Sequence, residues 1–159
     1  MKKDIQQEKT ILKVLSTYKK YVLYGMSGNE VRPSYFVGTY LQSQNVDFIS
    51  INPKFSNLFG RPCYPSLSCV PSPFPEVAVI FRRAEYTLEL AQEAMKMGAK
   101  VVWLQLGIKY EPTKRIVLDM GLDYVEDRCI KVEMARYGGK LYQAGFNTGI
   151  ISSKKRVVK

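Results

Sequence analysis

Tyr21-Val22-Leu23-Tyr24-Gly25-Met26-Ser27-Gly28 opens the stretch that decides the fold of this chain, and Asp47-Phe48-Ile49-Ser50-Ile51-Asn52-Pro53-Lys54 closes it. The apolar run at 21–24 predicts a buried strand. The Gly25 to Gly28 turn then leads into a helix, so backbone N–H groups and the helix dipole can face an anion. The second strand ends unusually. NAD enzymes place an Asp or Glu near this point to grip a ribose diol. Here Asn52, Pro53 and Lys54 stand there, and a lysine attracts a ribose that carries an extra phosphate. Coenzyme A or NADP is therefore expected before NAD.

Outward from this core, the pattern stays the same. An amphipathic helix is predicted over residues 4–18 from Ile5, Ile11, Leu12 and Leu15, packed across a sheet edge. Pro33 suits a first helical turn, and a helix is expected over 33–44. Residues 53–75 are dense in Pro, Gly and Ser and read as loop with one short strand and one helical turn. A strand over 76–81, a helix over 84–97 closed by Gly98, and a strand over 100–104 follow. A helix over 112–120, a last strand at 123–126 and a short helix to 136 complete the series. Such alternation means an α/β, doubly wound, Rossmann-like three-layer sandwich with a five-stranded, mainly parallel sheet. The expected division is an N-terminal helix over 1–19, a domain over 20–136 and a Gly-rich, then basic, tail over 137–159.

The chain has 159 residues, 46% of them apolar and 24% charged, which is the size and composition of one globular domain. No apolar run approaches the ~20 residues of a membrane span, and the first residues lack the apolar core of a secretory signal, so a cytoplasmic location is expected. Cys63, Cys69 and Cys129 lack metal-site spacing, the chain has no histidine, and all three read as reduced thiols. The net charge of +10 is concentrated at the ends: residues 1–20 contribute +4 and residues 151–159 another +4. A nucleic-acid surface would spread basic residues over a folded face with interleaved aromatics. Solvated basic ends explain the charge better, and nucleic-acid or acidic-partner binding through the tails is the second alternative below.

In a doubly wound sheet, ligands bind beyond the carboxyl ends of the strands where strand order reverses. The residues placed there are Gly25, Ser27, Gly28, Arg32 and Ser34 after the first strand, and Asn52, Pro53 and Lys54 after the second. Phe81, Arg82 and Arg83 follow the third, and Gln105 and Gly107 the fourth. Arg32, Lys54, Arg82 and Arg83 would thus share one rim, against Glu30, as a polyanion site. Plainer readings exist for each: turn glycines, a common Asn-Pro turn, a solvated arginine pair. Two cations at a helix start are unfavourable unless an anion offsets them, which favours a ligand there. Trp103 lies within an apolar strand and reads as core.

Gly25-x-Ser27, Arg32-Pro33-Ser34-Tyr35, Asn52-Pro53-Lys54, Phe81-Arg82-Arg83, Trp103 to Gly107 and Asp127-Arg128-Cys129-Ile130-Lys131 occur in an order and spacing that resemble a family. It is that of the small stand-alone CoA-binding domain proteins, related to the CoA-binding domain of the succinyl-CoA synthetase alpha subunit. The likeness spans about residues 15–136. It implies a Rossmann-like fold that binds coenzyme A or acyl-CoA. Gly25, Ser27 and the helix start would take the pyrophosphate, and Arg32 and Lys54 the phosphates of the 3′-phospho-ADP moiety. Asn52 and Pro53 would line the adenosine; Phe81, Arg82 and Arg83 would flank the pyrophosphate and the start of the pantetheine arm, with Gln105 and Gly107 nearby. Succinyl-CoA synthetase works through a phosphorylated histidine on a second domain, and this chain has neither, so that reaction is not expected. A non-catalytic binding, sensing or delivery module is the leading expectation. An NADP-dependent oxidoreductase is the first alternative, and a homodimer or an unidentified protein partner is compatible with the pattern.

Overall fold

The computed structural model describes residues 2–26, 28, 29 and 31–137, with side chains from Ile5 onward. Ser27, Glu30 and the segment 138–159, which holds nearly all of the expected tail, lie outside the described residues.

The elements in chain order are α1 (Lys2–Thr17), β1 (Lys20–Tyr24), α2 (Pro33–Ser43), β2 (Asp47–Ile51), β3 (Asn57–Leu58), β4 (Arg61–Tyr64), β5 (Val77–Ile80), α3 (Thr87–Met97), β6 (Val101–Leu104), α4 (Glu111–Asp119), β7 (Asp123–Val125) and α5 (Ile130–Tyr137). The sheet runs β3-β4-β2-β1-β5-β6-β7, and every neighbouring pair is parallel except β3 with β4. Strands β5 and β6 are buried at every position because helices cover both faces, which is why they read as unbroken apolar runs. One face packs Ile11 and Val14 of α1, Val37 and Leu41 of α2 and Ile130 of α5 around Trp103. On the other, α3 and α4 bring Ala91, Ala94 and Val117 onto Ala78, Ile80 and Val102.

The architecture is the expected three-layer α/β sandwich, and the five expected strands are β1, β2, β5, β6 and β7. The sheet has two more. Strands β3 and β4 form a hairpin inside the Pro-Gly-rich stretch, turning at Phe59 and Gly60, both with positive φ. A phenylalanine is a poor advertisement for such a turn. Its conformational cost is offset by packing of the partly buried ring, which lies 5.5 Å from the Tyr35 ring and packs over Gly38 of α2. Strand β4 then pairs with β2 through Cys63 and Tyr64.

α1 seals the opposite edge. Its Gln7 side chain donates from Nε2 to the Glu126 carbonyl at 3.0 Å and accepts the Glu126 N–H at Oε1, also 3.0 Å, as a neighbouring strand would. Glu8 meets Arg128 at 2.8 Å, and Lys13 meets Asp123 at 3.0 Å. Of the expected apolar stripe, Ile11 is fully buried and Leu12 and Leu15 pack against the core beside Val14, while Ile5 is 58% exposed. Contact with β7 and α5, rather than the summed apolarity of the helix, fixes its rotation.

β1 is followed by β2 on one side and by β5 on the other, so the chain leaves β1 in opposite directions. A crevice opens at that reversal, above the ends of β1 and β5.

Candidate functional site

Gly25 sits at the bottom of the crevice. Phe81 donates its N–H to the Tyr24 carbonyl at 2.8 Å, drawing the ends of β1 and β5 together. Gly25 has φ +90°, and a Cβ there would lie 2.6 Å from the Phe81 carbonyl oxygen. No other residue fits this floor. Beyond it, Gly28 lies against the Phe55 ring, 3.0 Å from the place a Cβ would take.

The second wall is built by Asn52. Its Nδ2 donates to the Met26 carbonyl at 2.6 Å, and its Oδ1 accepts the Lys54 N–H at 2.8 Å, an Asx turn around Pro53. The backbone N–H of Asn52 donates to Tyr64 at 2.9 Å. Asn52 therefore ties the β1 and β2 loops together; its amide shapes the wall and is committed to the protein. Cys63 stands behind this wall, buried, with its thiol donating to the Asn52 carbonyl at 3.5 Å. Burial pushes this thiol up, outweighing a lowering by the Asn52 backbone.

α2 points its start at the same place. Arg32 is the capping residue, extended and without a side-chain capping bond; Pro33 begins the helix, and no acid lies in the first turn. Such an end favours an anion. Across from it, the Arg82 guanidinium lies 4.7 Å and that of Arg83 5.8 Å from the Tyr86 ring. The Arg83 contact with Glu85, 3.9 Å and exposed, is loose. A 3₁₀ turn over Ala84–Tyr86 separates both arginines from the start of α3, and Glu85 and Glu89 supply the acids there. The dipole mismatch expected from the sequence is thus absent, and the arginines stand out for their position over the crevice instead.

The third wall comes from the ends of β6 and β7. Gln105, 6% exposed, accepts the Ile130 N–H at 2.9 Å and so caps α5. Gly107 donates its N–H to Asp127 at 2.7 Å, and the Trp103 indole donates to the Arg128 carbonyl at 2.9 Å. These bonds lace the two loops into one rigid lip.

Two adjoining clefts result. The smaller, about 510 Å³, is lined by Gly28, Asn52, Pro53 and Lys54 together with Tyr24, Ile51 and Phe55. The larger, about 1030 Å³, is lined by Ser34, Phe81, Arg83, Gln105 and Gly107 together with Phe36, Leu106, Ile108, Cys129, Lys131 and Val132. Gly25, Arg32 and Arg82 line both and mark where they meet. Every site residue expected from the sequence that the structure describes is on one of these walls; Ser27 is outside the described residues, as is Glu30. Arg32, Lys54, Arg82, Arg83 and Lys131 face Glu85 as the one carboxylate among the described lining residues.

Phe36, Phe55, Leu106, Cys129, Lys131 and Val132 were not among the expected site residues. Cys129 and Lys131 lay within a recognisable motif after the last strand, which could have flagged them. Phe36 and Val132 are helix residues whose direction only the packing of α2 against α5 sets.

The comparisons with known proteins agree with this geometry. The family model described as the CoA binding domain matches residues 19–135. A curated relative, the uncharacterized protein YneT of Bacillus subtilis, is 28% identical over 125 residues, 79% of this chain and 92% of its own. Among solved structures, a hypothetical protein from Pyrococcus horikoshii is 34% identical with a TM-score of 0.76, covering 83% of this chain and 92% of its own. A Thermus thermophilus structure is 27% identical with a TM-score of 0.73, covering 81% of this chain and 97% of its own. Among the described residues no helix is long and apolar enough to cross a membrane. The crevice at the sheet reversal, with its bare glycine floor and cationic rim, therefore sits in a chain that belongs to the CoA-binding domain family.

Proposed function

We propose that this chain is a cytoplasmic binding module for coenzyme A and its thioesters, holding the ligand for sensing, storage or delivery. One observation carries the reading: a smaller cleft lined by Asn52 and Lys54 and a larger, more apolar one meet at Gly25, Arg32 and Arg82. A molecule with a nucleotide at one end, a pyrophosphate in the middle and a long arm at the other matches that shape. In this reading the pyrophosphate lies over Gly25 at the start of α2, within reach of Arg32 and Arg82. The adenosine rests along Asn52 and Pro53, with Gly28 and Phe55 beside it. Lys54 takes the 3′-phosphate. The pantetheine arm runs past Phe81 and Arg83 toward Gln105 and Gly107. Phosphate contacts from cations on an open rim suit a ligand that must enter and leave.

Calorimetric titration with CoA, dephospho-CoA and NADPH at one fixed salt concentration tests this. CoA should bind, and loss of the 3′-phosphate should weaken it by about 1–3 kcal/mol, the worth of a charged hydrogen bond. NADPH binding without CoA binding would overturn the reading and favour an NADP-dependent oxidoreductase.

A further inference from the structure

The geometry points to an acyl subsite on the apolar wall of the larger cleft, so that the ligand is a coenzyme A thioester carrying an apolar acyl chain; this rests on the coenzyme A reading above. Phe36 on α2, Leu106 after β6 and Val132 on α5 all line that cleft, and they are 54%, 68% and 49% exposed. Each comes from a different element, yet all three open onto one space. Isolated exposed apolar residues are ordinary. Three from different elements lining one cleft that also carries cations form an apolar ledge beside an anion site.

Charge orients the ligand. With the anionic part of the ligand held by Arg32, Arg82 and Lys54 where the two clefts meet, the arm that ends in the thiol extends into the larger cleft, which the ledge lines. A free thiol gains little from apolar cover, whereas an alkyl chain gains with every methylene removed from water. A second copy of the chain is the less suitable occupant. Stable dimer faces use roughly 20–30 residues a side, far more than this ledge offers.

The test is titration of the full chain with CoA, acetyl-CoA, butanoyl-CoA and octanoyl-CoA, below micelle-forming concentrations. A chain covered on one side should gain roughly twofold in affinity per methylene, so octanoyl-CoA, six methylenes longer, should bind roughly 60-fold tighter than acetyl-CoA. The combined Phe36→Ser, Leu106→Ser and Val132→Ser variant should flatten that dependence on chain length. Leu106→Ser alone, at the most exposed position, should flatten it in part and serves if the triple variant fails to fold. Equal affinity for CoA and octanoyl-CoA would overturn the acyl subsite and leave the coenzyme A reading standing. A chain-length dependence unchanged in the variants would also overturn it. Absence of binding by every titrant would remove both. A dimer in sedimentation that Leu106→Ser converts to monomer would assign the ledge to a second copy and overturn the proposal.

Discussion

Gly25→Ala tests whether the floor of the crevice is as constrained as its geometry states. Two costs combine at this position. The backbone has φ +90°, where an L side chain is strained by about 1–2 kcal/mol. The added methyl would also fall 2.6 Å from the Phe81 carbonyl oxygen, with 3.1 Å to the Phe81 carbonyl carbon. Neither atom belongs to a flexible side chain, so β1 and β5 must separate, an overpacking cost of about 1–3 kcal/mol. Gly121→Ala separates the two effects, because Gly121 has φ +77° but no atom within 4 Å of a new Cβ. It should carry the backbone cost of about 1–2 kcal/mol alone. Urea denaturation of the three proteins reads the difference. Gly25→Ala should lose roughly 2–5 kcal/mol and Gly121→Ala clearly less. Coenzyme A affinity should fall only in Gly25→Ala, since Gly121 is not on either cleft. Equal losses of stability in both variants would refute the claim that contact between β1 and β5 at the crevice floor is tight.

Lys54→Ala should cost about 1–3 kcal/mol in CoA binding and nearly nothing in dephospho-CoA binding; equal losses for both ligands in calorimetry would detach Lys54 from the 3′-phosphate. Cys129 lines the larger cleft and is partly exposed, whereas Cys63 is buried with a raised thiol pKa, so at neutral pH a maleimide should label Cys129 well before Cys63. Bound CoA should slow labelling of Cys129 and leave Cys69 unaffected, as read by mass spectrometry of peptides. Burial pushes the Glu8 carboxyl up, but the Tyr137 hydroxyl that donates to it and the Arg128 guanidinium hold it below its ordinary value of 4.5. A lowered folded pKa gives stability that is present above the ordinary value and lost as pH falls through the folded one. Burial raises the Glu133 carboxyl instead, so its contribution runs the opposite way, growing as pH falls. Glu8→Gln should therefore destabilise the protein by about 1 kcal/mol at pH 7, allowing for screening of a partly exposed group, and by less at pH 3, measured by denaturation at both.

The alternation of apolar runs with glycine-closed helices was enough to specify the layered sheet, because strands buried on both faces and amphipathic crossovers leave separate signatures along the chain. Order and spacing of the loop motifs likewise placed Gly25, Arg32, Lys54 and Arg82 together, since loops after successive parallel strands must emerge on one side of the sheet. One short strand was legible within 53–75 but its pairing into the β3 and β4 hairpin was not, because the turn uses Phe59 in a conformation offset by packing of its partly buried ring over α2. On α1 the sequence named Ile11, Leu12 and Leu15 but misplaced Ile5 and missed Val14, because the rotation of the helix is set by the edge of β7 and the ion pair of Glu8 and Arg128. Local sequence also could not tell that Asn52 and Gln105 spend their amides on neighbouring backbone, nor that Phe36, Leu106 and Val132 share a ledge. Such facts depend on which distant segments meet, and the chain encodes those meetings only through the packing of the whole.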